Sequence, residues 1–227
     1  MIRKRIKHIG QIKNWEVINE NVTKPITLVL GSFNPYDENL ASIPEFYYCR
    51  IPNRGRGNQF WPSIARNLQL SEDLRVDEQS RLEIMAKHKF IFLDLIDELV
   101  VESENEKDIE KFINDKIIKG FSDSVVWAKQ TSGVAVSRSY NHRIVKLIEE
   151  TESITRIVNT LGTGRGNLNF NQNEADWQTF KADLCEVCRK TNSTNLILDS
   201  RSPSPQGVGD DQIGFDRWVR NNILNIA

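Results

Sequence analysis

Leu28-Val-Leu-Gly-Ser-Phe-Asn-Pro-Tyr36 is the stretch whose reading decides the fold. The run Ile26-Thr-Leu-Val-Leu-Gly31 follows Pro25 and is β-branched and Leu-rich, so it reads as a short buried strand stopped by a glycine. Gly31 lets a backbone or ligand approach closely. Asn34-Pro35-Tyr36 then turns the chain. The Asn34 amide offers one acceptor and two donors, enough to orient a water or read a base edge. Tyr36 is suited to wall a flat pocket. The same three residues also make an ordinary Asn-Pro turn.

Working outward, strands and helices alternate. Helical spacing predicts helices over 58–70, 76–87, 107–118, 142–150, 174–190 and 210–226. Lys89-Phe-Ile-Phe-Leu-Asp94 reads as a second buried strand running on into Leu95–Val100, Gly133–Ser137 as a third, and Asn195–Leu198 as the last. Ile154–Val158 is either a further strand or a helix end. Such alternation predicts a three-layer α/β/α domain on a mainly parallel, four-stranded central sheet. Ligands of such sheets sit beyond the carboxyl ends of the strands. The Gly/Pro/Ser/Asn-rich loops after Leu30, Val136 and Leu198 are therefore the candidate site.

Length and charge set the class. The chain has 227 residues, with 30 Lys and Arg against 31 Asp and Glu, a net charge of −1. That length suits one domain, 1–227, with residues 1–24 as an N-terminal extension, and buries roughly 70% of its unfolded surface. No apolar run approaches the ~18 residues of a membrane span. The basic start (Arg3, Lys4, Arg5, Lys7) lacks the apolar segment of a secretory signal. Three cysteines exclude a disulfide framework and suggest a reducing cytoplasm. A generic polycation is excluded; a local basic cleft is not.

Phe46-Tyr-Tyr-Cys-Arg-Ile-Pro-Asn-Arg-Gly-Arg-Gly-Asn-Gln-Phe-Trp61 joins aromatic faces to Arg50, Arg54 and Arg56. Aromatic rings stack on bases while guanidiniums contact phosphates. Phe60 and Trp61 read first as core residues of the next helix rather than as stacking rings. Taken with Gly31-Ser32-Phe33-Asn34-Pro35-Tyr36, this segment resembles the uracil-DNA glycosylase superfamily. Its Tyr-Tyr and Asn-x-Phe-Trp portion is most similar to the hypoxanthine and mismatch-specific branches. Leu198-Asp-Ser-Arg-Ser-Pro-Ser-Pro205 is similar to the superfamily's Ser/Pro-rich loop after the last strand, and Phe92-Leu-Asp-Leu-Ile96 to its middle strand. The resemblance runs from about residue 26 to 220. The chain departs from it by one extra residue between Gly31 and Asn34 and by the Arg-Gly-Arg-Gly insertion at 54–57.

The resemblance implies a DNA glycosylase that flips a damaged or deaminated base, uracil or hypoxanthine in type, into a pocket and hydrolyses its N-glycosidic bond. Asn34 would position the water. Asn58, or Asn53, would fill the superfamily's Asn position beside sugar or base. Gly31, Ser32, Phe33, Tyr36, Tyr48, Ser137 and Asn141 would line the pocket, with a helix-capping role open for Asn141. Arg54, Arg56, Ser200, Arg201, Ser202, Pro203 and Ser204 would grip DNA. The alternative is a relative that binds nucleic acid or a nucleotide without cleaving it. A metal-free, cofactor-free monomer is expected.

Other signals point elsewhere. Leu161-Gly-Thr-Gly-Arg-Gly166 lacks the Lys-Ser/Thr of a phosphate loop. Cys185-Glu-Val-Cys188 has metal-type spacing, yet only Cys49 remains to join it, short of a cluster's four ligands. His8, His88 and His142 show no ligand spacing. A flavodoxin-like or nucleotide-using enzyme on the same sheet is the remaining rival.

Overall fold

The computed structural model describes residues 1–8, 10, 21–36, 47–49, 57–118, 123–161, 175–191, 196–197 and 200–226. Asn53, Arg54, Arg56 and the 162–166 loop lie outside them.

Two sheets make up the α/β fold. The parallel one contains β2 (Thr27–Gly31), β4 (Phe90–Asp94), β8 (Arg156–Asn159) and β9 (Leu196–Ile197), in the order β4-β2-β8-β9. Every residue of β2 and β4 is buried, as expected of strands covered on both faces. The antiparallel sheet contains β1 (Ile2–His8), β3 (Pro35–Tyr36), β5 (Ile96–Ser103), β6 (Gln130–Thr131) and β7 (Val134–Tyr140), in the order β3-β1-β5-β7-β6. Burial alternates strictly along β7, the mark of a sheet wet on one side.

This corrects the expected mainly parallel sheet in two places. The strand at 133–137 is β7, antiparallel to β5, and the third parallel strand is β8. Residues before 25 supply β1, whose Arg3 and Arg5 face Glu102 and Glu98 of β5 at 3.2 and 3.0 Å. Period-2 burial reports which side of a strand is apolar, not the direction of its neighbour. The two sheets meet where β4 bends into β5. There the Leu95 N–H donates to Gly31 O (2.9 Å) and the Ile96 N–H to Ser32 O (3.0 Å).

Helices follow the apolar spacing closely. They are α1 (Phe60–Leu68), α2 (Glu78–His88), α3 (Glu106–Phe112, widening into a π segment to Ile118), α4 (Asp123–Val126), α5 (Arg143–Glu150), α6 (Ala175–Lys190), α7 (Pro205–Val208) and α8 (Gln212–Val219, with a π segment to Leu224). Asp77 caps α2 by accepting from the Ser80 N–H. Phe60 and Trp61 of α1 pack on Phe90 and Phe92 of β4 with Tyr47 and Tyr48, forming one aromatic core. A second group of rings in the same core gathers Trp127, Tyr140, Trp177 and Phe180 between β7 and α6. Asp216 of α8 ties that helix to α1, accepting from Ser63 Oγ (2.6 Å) and Arg66 Nε (2.8 Å). Among the described residues no helix is long and apolar enough to cross a membrane.

Candidate functional site

The parallel order β4-β2-β8-β9 places a topological switch beside β2. From β2 the chain runs to β4 on one side and returns to β8 on the other, so the crevice opens between the carboxyl ends of β2 and β8. Gly31, Ser32 and Phe33 leave β2 there, Asn159 and Thr160 leave β8, and Asp94 ends β4.

Hydrogen bonds join these ends. The Thr160 N–H donates to Leu30 O (3.0 Å), and so does its hydroxyl (2.8 Å). The Thr160 hydroxyl proton is therefore committed, and the Tyr48 hydroxyl, 2.7 Å away, donates to Thr160 Oγ1. Tyr48 stacks on Phe60, with ring centroids 4.8 Å apart, and its backbone is left-handed at φ 61°. A tyrosine in that region carries local strain, which the stacking and the Thr160 bond hold in place. Gly31 is required at this point. A Cβ built on it meets the Tyr48 hydroxyl at 2.7 Å and collides with Asp94 Oδ1.

The last-strand loop arrives at the same edge. Ser200 Oγ donates to Asn159 O (2.9 Å), and the Gln59 N–H donates to Pro203 O (2.7 Å). Turns 31–34 and 200–204, far apart in sequence, thus flank one crevice with the start of α1. Ser202 and Ser204 bond each other through their hydroxyls (3.0 Å), and Ser204 Oγ accepts from the Gly207 N–H at the start of α7. Arg201 pairs with Asp211 at 2.8 Å. That hydrogen bond, with one from the Gly214 N–H, holds the Asp211 carboxyl below its ordinary value.

Other expected site residues are placed as follows. Asn34 is half-buried beside the crevice, and Ser32 and Phe33 are buried. Tyr36 belongs to β3, paired with Lys7. Asn58 Oδ1 accepts from the Phe60 N–H (2.9 Å) and so opens α1. Asn141 is structural: its Nδ2 donates to Asp94 O (3.0 Å), and its Oδ1 accepts from the Arg143 N–H and Nε. Ser137 lies on the exposed side of β7 opposite Val100, five residues along β5 from Leu95 and roughly 16 Å from the crevice.

The crevice also holds a pair that sequence reasoning set aside. His8, the last residue of β1, lies 2.7 Å from Asp94 through Nε2 and Oδ2, with both side chains buried. The Gly10 N–H donates to His8 Nδ1 (2.9 Å), so Nδ1 is an acceptor and the ring proton sits on Nε2. Through Nε2, His8 is placed to donate to the Asp94 carboxylate. The available signal was an aspartate closing the otherwise apolar run Phe90–Leu93, because a charge ending a buried strand needs a partner. Nothing local in the sequence points to His8, 86 residues away.

A shallow groove of about 460 Å³ lies at the opposite, amino ends of the strands, lined by Ile26, Lys87, His88, Lys89 and Leu224. Among the described residues no group of three or more His, Cys, Asp or Glu is placed to hold a metal. Cys185 is exposed and Cys188 buried on α6, and burial pushes the Cys188 thiol up to about 11. No family model, no curated protein and no solved structure matches the chain.

Proposed function

We propose that this chain is a DNA glycosylase-like protein of three-layer α/β/α design. It would act as a cytoplasmic, metal-free monomer that hydrolyses the N-glycosidic bond of a flipped damaged or deaminated base, uracil or hypoxanthine in type. The observation that carries this reading is the meeting of turns 31–34 and 200–204 at the switch point of the parallel sheet. That crevice combines a bare glycine, a tyrosine ring, a half-buried amide and a serine-rich loop, as extruding and holding a nucleoside requires.

In this reading Asn34 orients a water toward C1′ through its side-chain carbonyl. It cannot take a full proton, so the water loses its proton to solvent as the bond to C1′ forms. Tyr48, fixed by Thr160, walls the base. Pro203 and the Ser202–Ser204 pair brace the strand from the far side. An abasic-site assay on uracil-, hypoxanthine- and xanthine-containing oligonucleotides tests the reading. Base release is expected from at least one, falling about a hundredfold in Asn34→Ala.

The second reading is a binding member that recognises nucleic acid or a nucleotide without cleaving it. It is favoured by the Asn58 carbonyl, which is occupied by the Phe60 N–H rather than turned to a ligand. DNA binding with no base released from any of the three oligonucleotides selects it.

A further inference from the structure

Asp94 is a buried carboxylate with an incomplete set of partners. Its backbone carbonyl accepts from Asn141 Nδ2 and its Oδ2 from His8 Nε2. Its Oδ1 has no hydrogen-bond partner among the described residues; it rests on the bare Cα of Gly31 beside the Tyr48 hydroxyl, at the mouth of the β2–β8 crevice. The side chain keeps 6% of its exposure. Among the described residues no Lys or Arg pairs with this carboxylate. Burying a carboxylate against a single imidazole donor is costly, and a positively charged ligand relieves it.

We infer that the crevice is built for a cationic nucleobase, one N-alkylated on its ring, with Asp94 as the residue that selects the charge. This stays with the damaged bases of the glycosylase reading but puts alkylated purines in the place of uracil and hypoxanthine, and it rests on that reading for the identity of the pocket. The chemistry follows from charge. A neutral lactam base such as uracil or hypoxanthine leaves C1′ with the bonding electron pair as an anion, and a fixed negative charge close by opposes that. An N-alkylated purine enters carrying positive charge. When its C1′–N bond breaks, the electron pair returns to the ring and the base departs neutral. The positive charge passes to the sugar as an oxocarbenium, where Asp94 still favours it. Water adds to C1′ and releases one proton to solvent. The arrangement needs neither a strong base at position 34 nor a donor to the leaving group.

Two measurements test this on the full chain. The first is equilibrium binding of 7-methylguanosine in its cationic form against inosine. The wild-type protein is expected to prefer the cation by about tenfold or more, and the isosteric Asp94→Asn, checked by thermal melting, to lose that preference. Equal binding of both nucleosides by the wild-type protein overturns the inference, whether or not the variant folds. The second is base release from oligonucleotides carrying 7-methylguanine, uracil or hypoxanthine. Faster release of the alkylated base supports the inference; faster release of uracil or hypoxanthine overturns it and leaves the glycosylase reading intact. Preferential binding of the cation with no release from any oligonucleotide ends the glycosylase reading and keeps the charge selection.

Discussion

In the parallel sheet β2 and β4 are buried along their whole length, whereas β7 of the antiparallel sheet is buried on alternate residues. The first sheet is covered by α1 through Phe60 and Trp61, while the outer side of the second carries Arg3, Arg5, Lys7, Ser137 and Ser139 into solvent. The contrast separates two duties. The parallel sheet supplies a rigid frame and, at its carboxyl ends, the crevice. The antiparallel sheet props that frame from the side, and through β1 it brings the His8 ring to the crevice.

The widest difference is expected between the buried frame and the open side of the antiparallel sheet. Phe92→Ala empties a fully buried site among Tyr47, Phe60 and Trp61 and should cost about 3–5 kcal/mol in urea unfolding. Ser137→Ala, on the open side of β7, should stay within about 0.5 kcal/mol; comparable losses from the two would break the contrast. Next comes the junction of the sheets. Gly31→Ala drives a methyl against Asp94 Oδ1 and the Tyr48 hydroxyl, both tethered, and should destabilise by about 1–3 kcal/mol.

The smallest effect concerns the helices over the parallel sheet, and it depends on pH. Burial pushes the Asp216 carboxyl up, but hydrogen bonds from Arg66, Ser63 and Gln212 outweigh burial and hold it below its ordinary 3.8. A lowered folded value stabilises fully above the unfolded value and is lost as pH falls through the folded one. Asp216→Asn should therefore cost about 1 kcal/mol near neutrality. In thermal melts across pH, the gap between variant and wild type should narrow as pH falls below about 4. A gap that persists into acid would show that packing, not the charge, joins α1 to α8.

Much of the parallel sheet was legible in the chain. Apolar runs at 26–31 and 89–94 bounded by Gly31 and Asp94 announce buried strands, and the helices begin and end within about two residues of their apolar periodicity. β1 was not legible, because Ile2-Arg-Lys-Arg-Ile-Lys-His8 is basic and only two of its residues are buried. Its strand character depends on Glu98 and Glu102, which are supplied by a segment nearly a hundred residues later. The direction of β7 was hidden for the same reason: alternation along a strand carries no record of its partner.

By itself the sequence determined which segments bury an apolar face, where glycine and proline end them, and that turns rich in Asn and Ser follow two of the buried strands. These are short-range properties, set by side-chain size and backbone freedom within a few residues. The tertiary structure alone decided that β8 rather than β7 flanks β2, that the turns at 31 and 200 share one edge, and that Asp94 meets His8. Those pairings join residues tens to more than a hundred positions apart, and they form only when separate buried faces find one another and exclude water together.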